Sequence, residues 1–199
     1  PLDGEGVGQV AAVVDMTFTV EFFDTNGSAW LPPAGLFFEP ERWSALAWGG
    51  PEKARIRATG PAFGLWELLR VLRFEVRIRA ASGRLVWHGY VHEANVTVGG
   101  TTVGASLESM YNAVRILYVG TGADGAPQDA ETATATNAES VNRYGTKEML
   151  YSAGDADVAS AEKLRDRFLG AHKWPAAAAE SGDDEDAAML DCLGWWSTL

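Results

Sequence analysis

The chain has 199 residues, 47% hydrophobic and 22% charged, the composition of a globular protein of one domain or two small ones that can bury a full core. A formal charge of −11 argues against generic nucleic-acid binding, because phosphate contact needs clustered lysine and arginine. Cys192 is the single cysteine, which excludes an intrachain disulfide, and the absence of a long apolar run or a basic-then-apolar leader predicts neither a membrane span nor a Sec-type signal peptide.

In chain order, residues 13–24 alternate well enough for a strand, and "TNGS" turns the chain. Residues 30–51 hold four prolines and no sustained period, which reads as a long irregular connection. Residues 53–59 form a strand. Residues 62–73 place Phe63, Trp66, Leu69 and Leu72 at helical spacing, so a helix with that inner face follows the "GP" break. In "EVRIRAASGRLVWHGYVHEANVTVGGTTVGASL", Val76 and Ile78 alternate with Arg77 and Arg79, "ASG" turns into a second strand, and the glycines at 99–100 suit a two-residue hairpin. "SLESMYN" reads as a short helical turn, "AVRILYV" as a strand and residues 120–131 as a polar loop. "AESVNRYG" is a short helix closed by Gly145, and "TKEMLYS" is a strand. The next helix is capped by Asp155 or Asp157, with Val158, Ala161, Leu164 and Phe168 on its apolar face. After an acidic loop at 180–186, "AAMLDCLG" is again a strand. "VGASLESMYN" and "LDCLGWWSTL" share a strand-to-turn pattern that reads as a weak internal repeat with its second copy cut short.

Charge is unevenly spread. Residues 42–90 hold nine of the sixteen Lys/Arg against Glu52, Glu67 and Glu75, a local balance of +6 that leaves −17 on the remainder. Such halves would make complementary surfaces between copies, unless Arg77 and Arg79 simply line a solvated strand face.

No catalytic constellation emerges. His88 and His92 would share a strand face about 13 Å apart, whereas two ligands of one zinc lie within roughly 4 Å. A half-exposed row of His88, Tyr90 and His92 is the expectation. "GASLE" lacks the second glycine of a nucleophile elbow, the glycines of "GEGVGQVAAVV" precede a strand rather than follow one, and "GADGAPQDAE" lacks the ligand spacing of a calcium hand. Eight tryptophans would allow a sugar-binding platform, but Trp66 and Trp87 fall on apolar faces, where core packing is the default. The expected catalytic, cofactor-binding and metal residues are therefore none.

Three stretches resemble the hub and baseplate proteins of long-tailed bacteriophages, the late-control-D type and related tail proteins. Gly83, Trp87, Gly89 and Val91 match a "G-x-x-x-W-x-G-x-V" strand that runs into a hairpin and a short helix. Ser140, Val141, Tyr144, Gly145 and Glu148 match an "S-I-x-x-Y-G-x-x-E" segment, and "DVASAEKLRDRFL" matches the helix that follows it. "LDCLGWWSTL" is similar to the start of the family's second barrel part. The likeness spans about residues 50 to 199, and residues 1–45 lie outside it.

The resemblance implies an α+β, mainly antiparallel β fold: a small β-barrel-like domain with an inserted α/β element and a second, incomplete barrel part. It divides the chain into an N-terminal strand and irregular arm (1–45), a first β-barrel-like domain (46–120), the inserted element (121–180) and the start of a second β domain (181–199). It implies a non-enzymatic viral structural protein of the virion tail, made in the bacterial cytoplasm. Its partners would be its own copies in a ring, most simply a trimer, and the neighbouring tail tube and tip proteins, with no nucleic acid, no membrane span and no cofactor. The alternative is a cell-surface or carbohydrate-recognition module; a cell-wall hydrolase is the third reading. On the hub reading, residues 83–112 are structural frame, with Trp87 in the core and Gly89 permitting a close approach.

Overall fold

The computed structural model describes residues 17–46, 50–123, 125–182 and 185–195. The first hairpin pairs β1 (Phe18–Phe23) with β2 (Ala29–Trp30), and the Asp24 carboxylate accepts the N–H groups of Asn26 and Ser28 in the expected turn. Residues 13–16 of the expected strand lie outside the described residues.

The expected irregular arm is in large part a strand. β3 (Phe37–Leu46) runs antiparallel to β4 (Gly50–Thr59). Pro40 is tolerated because β3 is the last strand of its sheet, where a missing N–H breaks no second ladder, and register shifts flank it at Pro40/Arg42 and Trp43/Ala45.

The helix after the Gly-Pro break is short, α1 (Ala62–Glu67), and tightens into a 3₁₀ turn at Leu68–Arg70. Its inner face is the expected one only in part, at Leu69 and Leu72. Leu65, Leu68 and Val71 are buried, with Leu72, whereas Phe63 is 64% and Trp66 36% exposed. Both sets of residues recur every three positions, so spacing alone did not fix the phase; the short helix and the 3₁₀ turn that follows it turn Leu65 and Leu68 inward.

β5 (Glu75–Ala80) and β6 (Leu85–Val98) follow, and Gly99 and Gly100, at φ 58° and 73°, turn β6 into β7 (Thr101–Ser106). Residues 106–112 form no helix; a single turn closes from Met110 N–H to Leu107 O at 3.3 Å. Leu107 and Met110 are buried and Leu107 N–H donates to His92 O, which holds this segment across the sheet instead.

The inserted element begins earlier than expected. β8 (Ala113–Thr121) is the centre of a second sheet. It pairs with β9 (Pro127–Glu131), which replaces part of the expected polar loop, and with β10 (Ala135–Thr136). α2 (Ala138–Tyr144) ends at Gly145, φ 76°, as expected, and is capped at its start by Asn137. β11 (Glu148–Asp155) lies parallel to β8, and α3 (Val158–His172) covers one face of this sheet. Asp157 caps α3 through Ser160 N–H; Ala161, Leu164 and Phe168 pack with Val114 and Ile116, while Val158 is exposed.

β12 (Ala176–Ser181) pairs with β7, and β13 (Ala187–Gly194) enters the main sheet between β4 and β6. The last strand therefore completes the first β domain and does not open a second one. Ala188, Leu190 and Cys192 alternate inward, and a strand buried in this way needs a neighbour on both edges. The second copy of the expected repeat lies partly outside the described residues.

The main sheet runs β2-β1-β5-β6-β13-β4-β3, with β7 and β12 extending from β6. It is mainly antiparallel and open in its hydrogen bonding. Aromatic side chains bring its two ends together: Phe18 meets Trp43 at 4.8 Å and Phe22 meets Phe38 at 5.0 Å. The core enclosed between them is built on Trp87, 1% exposed, with Ile56, Ile78, Val91 and Leu190. No helix among the described residues is long and apolar enough to cross a membrane.

Candidate functional site

The local backbone of β6 sets up a crevice where charge and burial conflict. Trp87, Gly89 and Val91 point into the core, but farther along the buried positions are Ala94 and Val96. The parity reverses at His92, because Val91 pairs with Cys192 while Glu93 pairs with Asp191, leaving His92 as a bulged residue. Tyr90 and His92 thus lie on the outer face of the sheet. Tyr90 is buried there as well, so the expected half-exposed row of His88, Tyr90 and His92 is broken at its centre.

Tyr90 is covered by Arg73. This residue follows the 3₁₀ turn in a left-handed conformation, φ 73°, the sole non-glycine residue with positive φ among those described. Its guanidinium stacks 4.1 Å from the Tyr90 ring centre and 4.8 Å from that of Trp195. Nε–H donates to the Tyr144 carbonyl at the C-terminus of α2, where a cation is favoured. Nη1 is buried and has no hydrogen-bond partner among the described residues. Burial pulls the Arg73 pKa down, opposed by Tyr90, but a guanidinium stays protonated in proteins.

The opposite wall comes from the inserted element and is positioned by Asn112. This side chain is fully buried and fully used: Nδ2 donates to Gly145 O (2.8 Å) and Ser140 Oγ (3.2 Å), and Oδ1 accepts from Lys147 N–H (2.8 Å). The segment 145–147 is held so that Lys147 Nζ donates to the carbonyls of Leu107 and Glu108, at 2.6 and 2.7 Å. Burial lowers the Lys147 pKa, partly offset by Glu108. Between these walls is a crevice of about 440 Å³ lined by Arg73, Tyr90, His92, Tyr144, Lys147 and Glu148, among others. Burial lowers the His92 pKa, and Lys147 and Arg73 push the same way against Glu108 and Glu93, so the imidazole is neutral at neutral pH.

Elsewhere the basic stretch is matched within the chain. Arg55 pairs with Asp191 through two hydrogen bonds, Arg57 with Glu185, Arg70 with Glu67, Arg77 with Glu75 and Arg79 with Glu21. The expected charge complementarity is therefore consumed in large part inside one molecule. Neither Arg73 nor Lys147 forms an ion pair with a carboxylate among the described residues. His88 faces Arg77 across the β5–β6 ladder, and no group of three or more His, Cys, Asp or Glu among the described residues is placed to hold a metal ion. Cys192 is buried with its thiol pKa pushed far up, so it is an unreactive core residue.

Sequence reading did not find Arg73, Asn112 or Lys147. Arg73 read as the end of a helix and Lys147 as the start of a strand, and no spacing pattern links residues that far apart. No protein-family profile, curated protein or solved structure matches this chain.

Proposed function

We propose that the chain is a non-enzymatic structural component of a bacteriophage tail tip or baseplate, similar to a hub and acting through assembly. The order of its parts supports this reading most. An antiparallel β domain carries Gly83 in the β5–β6 turn and Trp87, Gly89 and Val91 on β6, and the Ser140–Glu148 segment follows on the α/β element. Exposed apolar side chains at Leu31, Phe37 and Leu46, on and before the terminal strand β3, suit contacts with copies and neighbours better than isolation in water. With Arg55, Arg57, Arg77 and Arg79 matched internally, contacts in the proposed ring rest on such apolar edges more than on opposite charge.

Mass measurement and electron microscopy of the purified protein at high concentration and low salt test the proposal. Trimers or closed rings are expected, and joint assembly with tail tube or tip proteins would extend the result. A strict monomer that binds no tail protein would overturn it, as would lysis of bacterial cell walls abolished by changing one acidic residue.

A carbohydrate-recognition reading has one observation in its favour. Trp43 lines a crevice of about 520 Å³ together with Arg42, Lys53, Arg55 and Asp191, an aromatic face beside polar groups. Saturable binding on a glycan array, lost in Trp43→Ala, would favour this reading over the hub.

A further inference from the structure

We propose that the crevice between the main sheet and the inserted element is a carboxylate-binding site, in which Arg73 and Lys147 hold a monoanionic carboxylate against the Tyr90 and Tyr144 walls. The inference is independent of the assembly reading. It begins from an imbalance: five of the nine cations in residues 42–90 are matched by carboxylates, yet Arg73, whose Nη1 is buried, is not. Its guanidinium offers a planar fork with Nε committed to the Tyr144 carbonyl and Nη1 without an acceptor among the described residues. A buried donor left unpaired costs free energy that an incoming acceptor restores, and a charged acceptor restores most. Lys147 adds a second cation, whose two carbonyl contacts orient it without neutralising it.

The charge of the walls selects the class of anion. Arg73 and Lys147 contribute two positive charges and His92 is held neutral, while Glu148, which also reaches Arg115 at 3.8 Å, and Glu108, which acts on Lys147, place carboxylates at the rim. Two cations faced by these carboxylates suit a singly charged carboxylate better than a phosphate dianion. The carboxylate could come from a small free acid or from an acidic side chain of another copy of this strongly acidic chain. Nη1 is buried, so a ligand reaching it would displace a side chain packed against the guanidinium.

The test is a titration of the whole protein followed by the ¹⁵N resonance of the Arg73 Nε–H, assigned by its loss in Arg73→Gln. Acetate and glutamate are added in separate arms, with sodium phosphate and sodium chloride at matched ionic strength. Saturable shifts with both carboxylates, weakened at least tenfold in Lys147→Gln, are expected. If the side chain of a second copy is the source, the shift appears on raising protein concentration with no acid added. A linear response equal to that of chloride, or unchanged affinity in a folded Lys147→Gln, would overturn the proposal. Tighter binding of phosphate than of either carboxylate would overturn the assigned class. Should Lys147→Gln not fold, the comparison of carboxylate with chloride on the unaltered protein decides.

Discussion

Arg73 Nε–H donates to the Tyr144 carbonyl over 3.1 Å, a link across 71 residues that ties the main β domain to the C-terminus of α2. The same side chain stacks on Tyr90 and Trp195 while its backbone sits at φ 73°. Side-chain gain and backbone strain therefore meet in one residue and can be separated. Arg73→Ala loses the hydrogen bond and the stacking and should cost about 1–3 kcal/mol. Arg73→Gly loses the same contacts but accepts the left-handed conformation, so it should be more stable than the alanine variant by about 1 kcal/mol. Urea unfolding of both variants checks this, and a glycine variant weaker than the alanine one would refute the strain.

Asn112 connects both ends of the α2 region through one amide. Asn112→Ala leaves the Lys147 N–H and the Gly145 carbonyl without these partners and should cost about 2–3 kcal/mol. Hydrogen exchange should quicken at Lys147 and through α2 while the amides of β4 and β13 stay protected. Uniform loss of protection would show that Asn112 supports the whole fold rather than this wall.

Gly89 is required for space rather than for conformation. A Cβ built there would lie 2.1 Å from the Leu193 carbonyl oxygen and 2.5 Å from the Trp87 ring, and the first of these is backbone in the adjoining strand. Gly89→Ala should destabilise by about 1–3 kcal/mol through overpacking. Thermal unfolding indistinguishable from the parent would mean that β6 and β13 are farther apart.

The two tryptophans expected in the core separate clearly. Trp87→Ala should cost about 3–5 kcal/mol, as large aromatic truncations in cores do. Trp66→Ala, at a position 36% exposed, should cost under about 1 kcal/mol. Comparable losses in the two variants would contradict the observed phase of α1.

His92 makes stability fall in acid. Its folded pKa lies below the ordinary 6.5 because burial, Lys147 and Arg73 disfavour the imidazolium more than Glu108 and Glu93 favour it. The unfolded chain therefore takes up the proton first, and stability contributed by the neutral ring is lost as pH falls through the unfolded value toward the folded one. His92→Gln should flatten this part of the stability curve, from the ordinary histidine value downward. An unchanged slope would assign the acid response to other groups.

The sequence by itself determined the features that depend on neighbours along the chain. Period-two alternation located β5, β6 and β13, the double glycine made the β6–β7 hairpin, Asn137 and Asp157 capped the helices, and Gly145 ended α2. Each depends on steric or hydrogen-bond chemistry within a few residues. The mainly antiparallel α+β class, which the resemblance implied, is the class the structure has.

Only the tertiary structure decided what lay between distant segments. Residues 37–46 have little strand pattern of their own and become β3 because β4 supplies a ladder. β13 reads as a strand in isolation, but its place at the centre of the first sheet depends on two partners far back in the chain. The phase of α1 was not fixed by its own spacing, because Phe63 and Trp66 recur with the same period as Leu65 and Leu68, and contact with the core chose between the two faces. Arg73, Asn112 and Lys147 are ordinary polar residues in sequence. Their burial, and with it the crevice, arises when the inserted element closes over the outer face of β6, because burial is a property of the assembled fold and leaves no mark on local periodicity.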